Sequence, residues 1–297
     1  MKPKLHFYSP VWRPPYEATS QLLQVTAGCT WHRCKFCTLY ENQKFRMSPL
    51  TEIESDLRII NKFQPHAHRI FLTGANPFAL TANRLADIAL LVRKYVGEGC
   101  PTIGCFSRIT DIRSKTLDEL KLLHQLGYEY ITIGVENGDD DTLTLAGKGY
   151  GSADIVEQCI KLEKAGIHYN FFYLAGLAGN GHGNRNALRS ANVFNQLHSS
   201  CIIVLSLTLF PNSQLYQDAL RGKYIVAKEH ERFDEIIRLV KHLRCSTHIQ
   251  GRTVSNPIPF TGFLPKDRAQ ILHELEVAKQ NISEKQLKEY RNSIVSL

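Results

Sequence analysis

Short apolar, β-rich runs alternate with segments of helical period along most of the 297-residue chain. Strands are predicted over 22–28, 69–74, 102–107, 130–135, 169–176 and 201–210. The helices that follow them are predicted over 51–61, 82–96, 115–126, 153–165, 187–197 and 213–220. Regular alternation is typical of a parallel sheet with helices outside it. Six such units predict an α/β fold, either an incomplete barrel or a doubly wound sheet.

The pattern changes near Glu229. A helix predicted over 229–243 is followed by the irregular stretch "GRTVSNPIPFTGFLP" and by a charged helical tail that starts at Lys266. We therefore expect three parts. They are an N-terminal extension over 1–20, a core domain over 21–228 and a C-terminal, mainly helical extension over 229–297 packed on the core.

The N-terminal residues are charged and interrupted by prolines, and no stretch of the sequence reaches the roughly 18 apolar residues of a membrane span. We therefore expect a cytoplasmic protein with no membrane partner. The eight cysteines then indicate metal binding rather than disulfides, because the cytoplasm is reducing. The net charge of +8 is spread along the chain, so a nucleic-acid partner is an alternative that we do not favour.

Three of the cysteines lie close together, directly after the first predicted strand. Cys29, Cys34 and Cys37 have the spacing Cys-x4-Cys-x2-Cys. In both candidate architectures the functional loops stand at the carboxyl ends of the strands, where this loop falls. Three thiolates can bind three irons of a four-iron cluster and leave the fourth iron open for another ligand.

Two other interpretations of the cysteines remain open. A structural zinc site is one, because Cys-x2-Cys is also a zinc spacing and His32 lies nearby, although no second pair of this kind follows. Buried thiols that bind nothing are the other. The outlying Cys100 and Cys105 could belong to an auxiliary cluster, but they would need further ligands.

The cysteine loop, with Phe36 before its last cysteine, resembles the radical S-adenosylmethionine (SAM) superfamily. The usual signature there is Cys-x3-Cys-x-aromatic-Cys, and the first gap is one residue longer here. The resemblance covers about Leu22 to Leu220. Within the superfamily, the sequence is similar to the coproporphyrinogen dehydrogenase-like and Elp3–MiaB-like cores. It implies a partial (βα)6 TIM-like barrel, a 4Fe–4S cluster on the three cysteines, and SAM as second cofactor.

The resemblance also implies SAM contacts at two strand ends. "TGANP" places Gly74, Ala75 and Asn76 where the family holds the methionine amino group. The acid of the usual motif is missing here, so backbone carbonyls or the Asn76 side chain would make that contact. Arg108, after the third strand, could bind a carboxylate of SAM or substrate; a structural ion pair is the equal alternative.

Three further positions match SAM-binding motifs of the family. "IGVENG" places Glu136 on the ribose, or alternatively at a helix entry. "AGKGY" places Lys148 where an arginine meets the SAM carboxylate, with a solvated surface lysine as the alternative. "FFYLAGLAG" places Gly176 and Gly179 where backbone approaches the adenine; a strand-to-helix turn would also explain them. Phe36 is expected beside the cofactors.

The function implied is that of a radical SAM enzyme. Such an enzyme cleaves SAM reductively and uses a 5′-deoxyadenosyl radical to abstract hydrogen from an organic substrate of small or medium size. It needs an external one-electron reductant of flavodoxin or ferredoxin type. The alternatives are a tRNA-modifying or porphyrinogen-type relative and a non-catalytic metal-binding interaction protein. Arg252 and Asn256 are candidates for the substrate side, with a surface loop that caps the barrel as the alternative, and no catalytic residue is assigned.

Overall fold

The computed structural model describes residues 4–8, 11–99 and 101–296. Cys100 lies outside these ranges, so the auxiliary cluster considered for Cys100 and Cys105 cannot be placed in the structure. Cys105 itself is fully buried. Burial raises the pKa of its thiol well above the usual range, which is typical of a structural cysteine.

The chain contains ten strands and eleven α-helices within the described ranges. The strands are β1 (Gln21–Gln24), β2 (Thr26–Ala27), β3 (Arg46–Met47), β4 (Arg69–Thr73), β5 (Thr102–Ser107), β6 (Ile131–Glu136), β7 (Tyr169–Ala175), β8 (Cys201–Ser206), β9 (Thr247–Gln250) and β10 (Thr261–Leu264). The helices are α1 (Leu50–Phe63), α2 (Ala82–Val96), α3 (Ile109–Arg113), α4 (Leu117–Gln125), α5 (Asp140–Leu145), α6 (Ser152–Ala165), α7 (Gly183–Phe194), α8 (Gln214–Leu220), α9 (Glu229–His242), α10 (Arg268–Asn281) and α11 (Glu284–Ser293).

Contacts divide the chain into two compact units. The first unit comprises Met1–His32, Leu39–Gly134 and Ile160–Tyr169. The second unit comprises Arg33–Thr38, Val135–Cys159 and Asn170–Leu297. The boundary therefore passes through the cysteine loop and through β6. The domain boundaries expected from the sequence stay a prediction.

The first unit has a parallel sheet in the order β1, β4, β5, β6. Ile70 and Phe71 on β4 are fully buried, as expected for a strand with neighbours on both sides. The helix α2 begins after Thr81, whose hydroxyl accepts a hydrogen bond from the Arg84 amide. A short antiparallel pair, β2 with β3, closes the base of the cysteine loop through Thr26, opposite Met47.

The second unit continues the parallel pattern with β7 against β8 and β8 against β9. The strand β10 pairs antiparallel with β9. The helix α9 packs against both α7 and α10. It buries Phe233, Ile236 and Leu239, which recur with helical spacing along one face.

Six strand–helix units follow one another in the described part of the chain, as the sequence predicted. Several boundaries were wrong. The helix predicted over 115–126 begins at Leu117, because Thr116 caps it and a separate helix α3 precedes it. The helix predicted over 187–197 is α7, which starts at Gly183, and the strand predicted over 201–210 ends at Ser206.

The C-terminal extension is mainly helical, but it also contains β9 and β10, which the sequence did not predict. The stretch expected to be irregular includes β10. No helix in the described ranges combines the length and the apolar character needed to span a bilayer.

Candidate functional site

The cysteine loop starts with a glycine that no other residue could replace without strain. Gly28 has φ of 70°, in the left-handed region. A Cβ at this position would lie 2.6 Å from the carbonyl oxygen of Gln43 and 2.7 Å from that of Lys44. The glycine therefore lets the incoming strand approach the returning arm of the loop, directly before Cys29.

In the first unit, Cys29 is half-buried and is followed by a tight backbone turn. The Trp31 amide donates to the Cys29 Sγ at 3.4 Å. His32 has φ of 51°, a conformation that is uncommon for a residue other than glycine. This turn therefore fixes the Cys29 sulfur against the backbone of the two residues that follow it.

Asn76, at the end of β4, is almost fully buried and contacts the loop directly. Its Oδ1 accepts from the Thr30 amide at 3.2 Å, and its Nδ2 donates to Thr30 Oγ1 at 2.7 Å. The same Nδ2 donates to Asp111 Oδ2 at 3.0 Å. The amide of Asn76 is thus engaged within the protein. Of the two contacts considered for the SAM amino group, this arrangement favours backbone carbonyls over the Asn76 side chain.

Gly74 and Ala75 lie directly after β4, and the contact of their carbonyls with SAM stays a prediction. Gly74 has φ of 128°, and a Cβ there would lie 2.0 Å from Thr26 Oγ1. Only glycine fits this approach to β2. Ala75 is half-exposed, whereas Gly74 is buried.

Arg108, after β5, is 8% exposed and lies against the cysteine loop. Its guanidinium carbon is 4.3 Å from the centre of the Trp31 ring, within cation–π distance. Its Nη1 donates to Thr110 Oγ1 at 2.9 Å. The structure therefore brings Arg108 to the residues beside Cys29, while its predicted contact with a carboxylate stays a prediction.

Asp111 is a buried carboxylate that the sequence analysis did not single out. Its Oδ2 accepts from the Arg108 amide at 2.8 Å, as well as from Asn76. Burial raises the pKa of Asp111, and the hydrogen bonds from Arg108 and Asn76 oppose that shift. In the sequence, an aspartate at the third residue of α3 indicates helix capping and does not indicate a contact with the cysteine loop.

In the second unit, the other half of the loop makes hydrogen bonds through its backbone. The Lys35 amide donates to the carbonyl of Ala146 at 3.0 Å, and the Leu215 amide donates to the carbonyl of Lys35 at 2.7 Å. Gly147 has φ of 70°, and a Cβ there would lie 2.4 Å from the Arg33 carbonyl oxygen. Cys37 closes a turn by donating its amide to the Cys34 carbonyl at 3.1 Å.

Phe36, between Cys34 and Cys37, packs on an apolar cluster of the second unit. The buried members of that cluster are Ala146, Leu174, Leu177, Leu207, Leu215 and Tyr224. The Lys148 ammonium lies 5.9 Å from the centre of the Phe36 ring and 5.6 Å from that of Tyr150. The aromatic residue of the motif thus anchors this half of the loop and borders a cation.

Glu136 and Lys148 form an ion pair, with 3.4 Å between Oε1 and Nζ. Their side chains are 13% and 4% exposed. The alternative that Lys148 is a solvated surface lysine is therefore wrong. Glu136 ends β6 with φ of 65°, a strained conformation of the kind that clusters at functional sites. Among the predicted SAM contacts, the structure brings Phe36, Glu136 and Lys148 together.

Gly176 contacts a buried polar network instead of open space. Its amide donates to Glu235 Oε2 at 2.8 Å, and its carbonyl accepts from the Tyr224 hydroxyl at 2.8 Å. A Cβ there would lie 3.0 Å from Arg232 Nε. Burial raises the pKa of Glu235 to about 7. The predicted adenine contact of Gly176 stays a prediction. A Cβ at Gly179 would lie 2.9 Å from the Ile225 carbonyl oxygen.

Asn256 continues the edge of β8 beyond the point where β9 ends. Its Nδ2 donates to the Val204 carbonyl at 2.7 Å, and its Oδ1 accepts from the Ser206 hydroxyl at 2.8 Å. The bond to Val204 satisfies a backbone carbonyl of β8 beyond Ile203, the last residue of β8 that pairs with β9. Arg252 is exposed. The structure supports a structural role for Asn256, and the substrate role considered for both residues is untested.

None of the seven cysteines within the described ranges forms a disulfide. Cys29 and Cys34 are half-buried and Cys37 is exposed, which leaves all three accessible to iron. In the described residues, no three His, Cys, Asp or Glu side chains already converge as a metal site. The donor set itself, three reduced thiols on one loop, fits three corners of a four-iron cluster.

Comparisons with solved structures show similar folds. Coproporphyrinogen III oxidase (HemN) from Escherichia coli matches with a TM-score of 0.55 and 14% identity, over 75% of this chain and 52% of that chain. Methylornithine synthase (PylB) matches with a TM-score of 0.51 and 12% identity, over 91% of this chain and 85% of that chain. These similarities confirm the predicted fold class, a partial TIM-like α/β fold.

The methyltransferase TsrM from Kitasatospora setae matches with a TM-score of 0.52 and 15% identity, over 67% of this chain. The chain spans only 37% of the length of TsrM. No curated protein sequence matches. The model of the Radical SAM superfamily matches residues 23–184, which is more than half of the chain and includes the cysteine loop, Asn76, Glu136 and Lys148. The chain therefore belongs to the radical SAM superfamily, enzymes that use a 4Fe–4S cluster and S-adenosylmethionine.

Proposed function

We propose that the protein cleaves SAM reductively and uses the 5′-deoxyadenosyl radical to abstract hydrogen from a small or medium-sized organic substrate. The observation that carries this proposal is the ion pair of the half-buried Glu136 and the buried Lys148, 3.4 Å apart, beside the Phe36 ring. Phe36 stands between Cys34 and Cys37, so a carboxylate and an ammonium group lie next to half of the cluster loop. These are complementary to ribose hydroxyls and to a carboxylate.

When bound, the cluster and SAM supply the electron and the adenosyl group of the reaction. Cys29, Cys34 and Cys37 would hold three irons. Glu136 would accept hydrogen bonds from the ribose, and Lys148 would donate to the SAM carboxylate. Lys148 is 4% exposed and Glu136 13%, and this low exposure to water strengthens their contacts with a charged ligand.

Membership of the superfamily implies a substrate and a reductant. We propose a small organic substrate and an external flavodoxin- or ferredoxin-type protein that delivers one electron, in the cytoplasm. Nucleic acid is a less favoured partner, because the net charge of +8 includes no run of basic residues.

The test is anaerobic reconstitution with iron and sulfide, followed by dithionite and SAM, with 5′-deoxyadenosine as the product measured. Wild type should release the nucleoside, and Cys34→Ala should not. Cys245→Ala is the matched control, because Cys245 is a half-buried cysteine outside the loop. No nucleoside from any of the three proteins, with one zinc per chain in the purified protein, would show that the loop is a structural zinc site.

The SAM contacts need a separate test by equilibrium binding of SAM to the reconstituted protein. Lys148→Met keeps the apolar stem and removes the charge, so it should weaken binding by about tenfold. Lys121→Met is the control, since Lys121 is half-exposed on α4. Equal affinity of wild type and Lys148→Met would contradict the assigned role of Lys148.

A further inference from the structure

A chain of buried polar side chains holds the first half of the cysteine loop. Thr30, directly after Cys29, makes two hydrogen bonds with the Asn76 side chain, at 3.2 and 2.7 Å. Asn76 is 1% exposed. Its amide therefore fixes both the backbone and the side chain of the residue next to the first cysteine.

Asp111 determines which way that amide points. The Asn76 Nδ2 donates to Asp111 Oδ2 at 3.0 Å. If the amide were flipped, its oxygen would face the carboxylate and its NH2 would face the Thr30 amide, and both contacts would be repulsive. The acceptor at Asp111 thus selects the orientation of Asn76 that Thr30 requires.

The same Asp111 oxygen also holds the turn that carries Arg108. It accepts from the Arg108 amide at 2.8 Å, and the Arg108 guanidinium lies 4.3 Å from the Trp31 ring centre. One carboxylate oxygen therefore supports two contacts with the loop, at Thr30 and at Trp31. Asp111 is 6% exposed, so water cannot easily replace the lost acceptor.

We propose that Asp111 is a positioning residue for Cys29. It acts through Asn76 and Thr30, and it holds the first cysteine in the orientation in which the loop takes up its cluster. This inference rests on the proposed function, because it assumes that Cys29 is a cluster ligand. Asp111 does not belong to any of the SAM-binding motifs identified in the sequence.

The test starts with the apo protein, where alkylation by iodoacetamide is followed at each cysteine by mass spectrometry. Asp111→Ala should speed alkylation of Cys29 by about tenfold, because the loop around it opens more easily. Alkylation of Cys37 should change by less than about twofold, since its half of the loop is held by other contacts. Asp111→Asn should restore the wild-type rate, because one amide oxygen can accept both hydrogen bonds that Oδ2 accepts.

Asp139→Ala is the matched control. Asp139 is also a buried carboxylate at the start of a helix, but its hydrogen-bond partners include Arg185 and Arg189. This variant should leave the Cys29 rate unchanged relative to that of Cys37. The proposal is overturned if Asp111→Ala leaves the Cys29 rate at the wild-type value. It is also overturned if Asp111→Ala and Asp139→Ala accelerate both cysteines equally, because that pattern indicates general loosening.

Reconstitution gives a second readout. Asp111→Ala should bind less iron than wild type, or show an altered EPR signal of the reduced cluster, and Asp111→Asn should resemble wild type. If the wild-type protein takes up no iron, the proposed function fails. The alkylation result still decides whether Asp111 positions Cys29.

Discussion

The two halves of the cysteine loop are held by different kinds of hydrogen bond. In the first unit, Thr30 depends on the side chains of Asn76 and Asp111, both buried and both polar. In the second unit, Lys35 is held through its backbone. Polar side-chain contacts depend on the identity of a few residues, whereas backbone contacts depend on space and on glycine. The two halves should therefore respond to different mutations.

The largest effect is expected from Gly147→Ala, which disturbs the close backbone contact between Gly147 and the second half of the loop. A Cβ at this position would lie 2.4 Å from the Arg33 carbonyl oxygen, and φ is 70°. The left-handed conformation and the steric overlap together should lower the free energy of unfolding by about 2–5 kcal/mol. Urea denaturation measures this loss.

Gly222→Ala is the control for Gly147→Ala. Its φ is 69°, and among the described residues no atom lies within 4 Å of the Cβ that would be added. Only the conformational penalty of about 1 kcal/mol should remain. Equal losses in the two variants would mean that the close approach to Arg33 does not matter.

The second prediction concerns the side-chain hydrogen bonds of the first half of the cysteine loop. Asn76→Ala removes hydrogen bonds to Thr30 and Asp111 and leaves buried polar groups without these partners. It should cost about 2–3 kcal/mol in the free energy of unfolding. Asn281→Ala is the control, because Asn281 is exposed on α10. A loss for Asn76→Ala as small as that of the control would remove the difference between the two halves.

The third prediction concerns a buried carboxylate of the second unit, away from the cysteine loop. Burial raises the pKa of Glu235 from 4.5 to about 7. The folded protein therefore holds this proton more tightly than the unfolded chain does. The stability gained is fully present below about pH 4.5 and is lost as the pH rises through about 7.

Glu235→Gln removes this titration and keeps a hydrogen-bonding group in place. Wild type should lose stability between pH 5 and pH 8, whereas the variant should not lose this contribution. The unfolding free energy of the variant relative to that of wild type should therefore rise by on the order of 2 kcal/mol over this range. Asn186, which donates to Glu235 at 2.7 Å, can present its oxygen to the new amide by flipping. Parallel pH profiles for the two proteins would show that Glu235 does not titrate in this range.

Local patterns predicted most of the fold, because apolar periodicity is a property of each segment alone. The strand β9 was missed because its residues, "THIQ", are half polar and it depends on pairing with β8. The helix α5 was missed because it has only six residues. Long-range pairing and short elements leave little periodicity to detect.

In the candidate site, the resemblance to the family predicted the cysteines, Glu136 and Lys148, and their roles stay a prediction. It could not predict that Lys148 is buried, since lysine is mostly exposed and only its partner Glu136 explains the exception. Asp111 was missed because its role depends on Asn76, which lies 35 residues away in the sequence. Contacts of this kind follow from the folded structure and not from local spacing.

The smallest effect is expected from Lys35→Ala. The Lys35 side chain is 39% exposed, and its Nζ is 3.6 Å from Asp218 Oδ2, a separation at which a surface ion pair contributes little. The backbone bonds to Ala146 and Leu215 do not involve that side chain. The variant should change Tm by less than about 2 °C and retain wild-type iron content.

Lys35→Pro separates backbone from side chain at the same position. It removes the amide that donates to the Ala146 carbonyl, so it should lower Tm clearly more than Lys35→Ala does. If Lys35→Ala were instead as damaging as Lys35→Pro, the side chain would hold this half of the loop. Both halves would then depend on side-chain identity, and Gly147 would matter only for the geometry of its own turn.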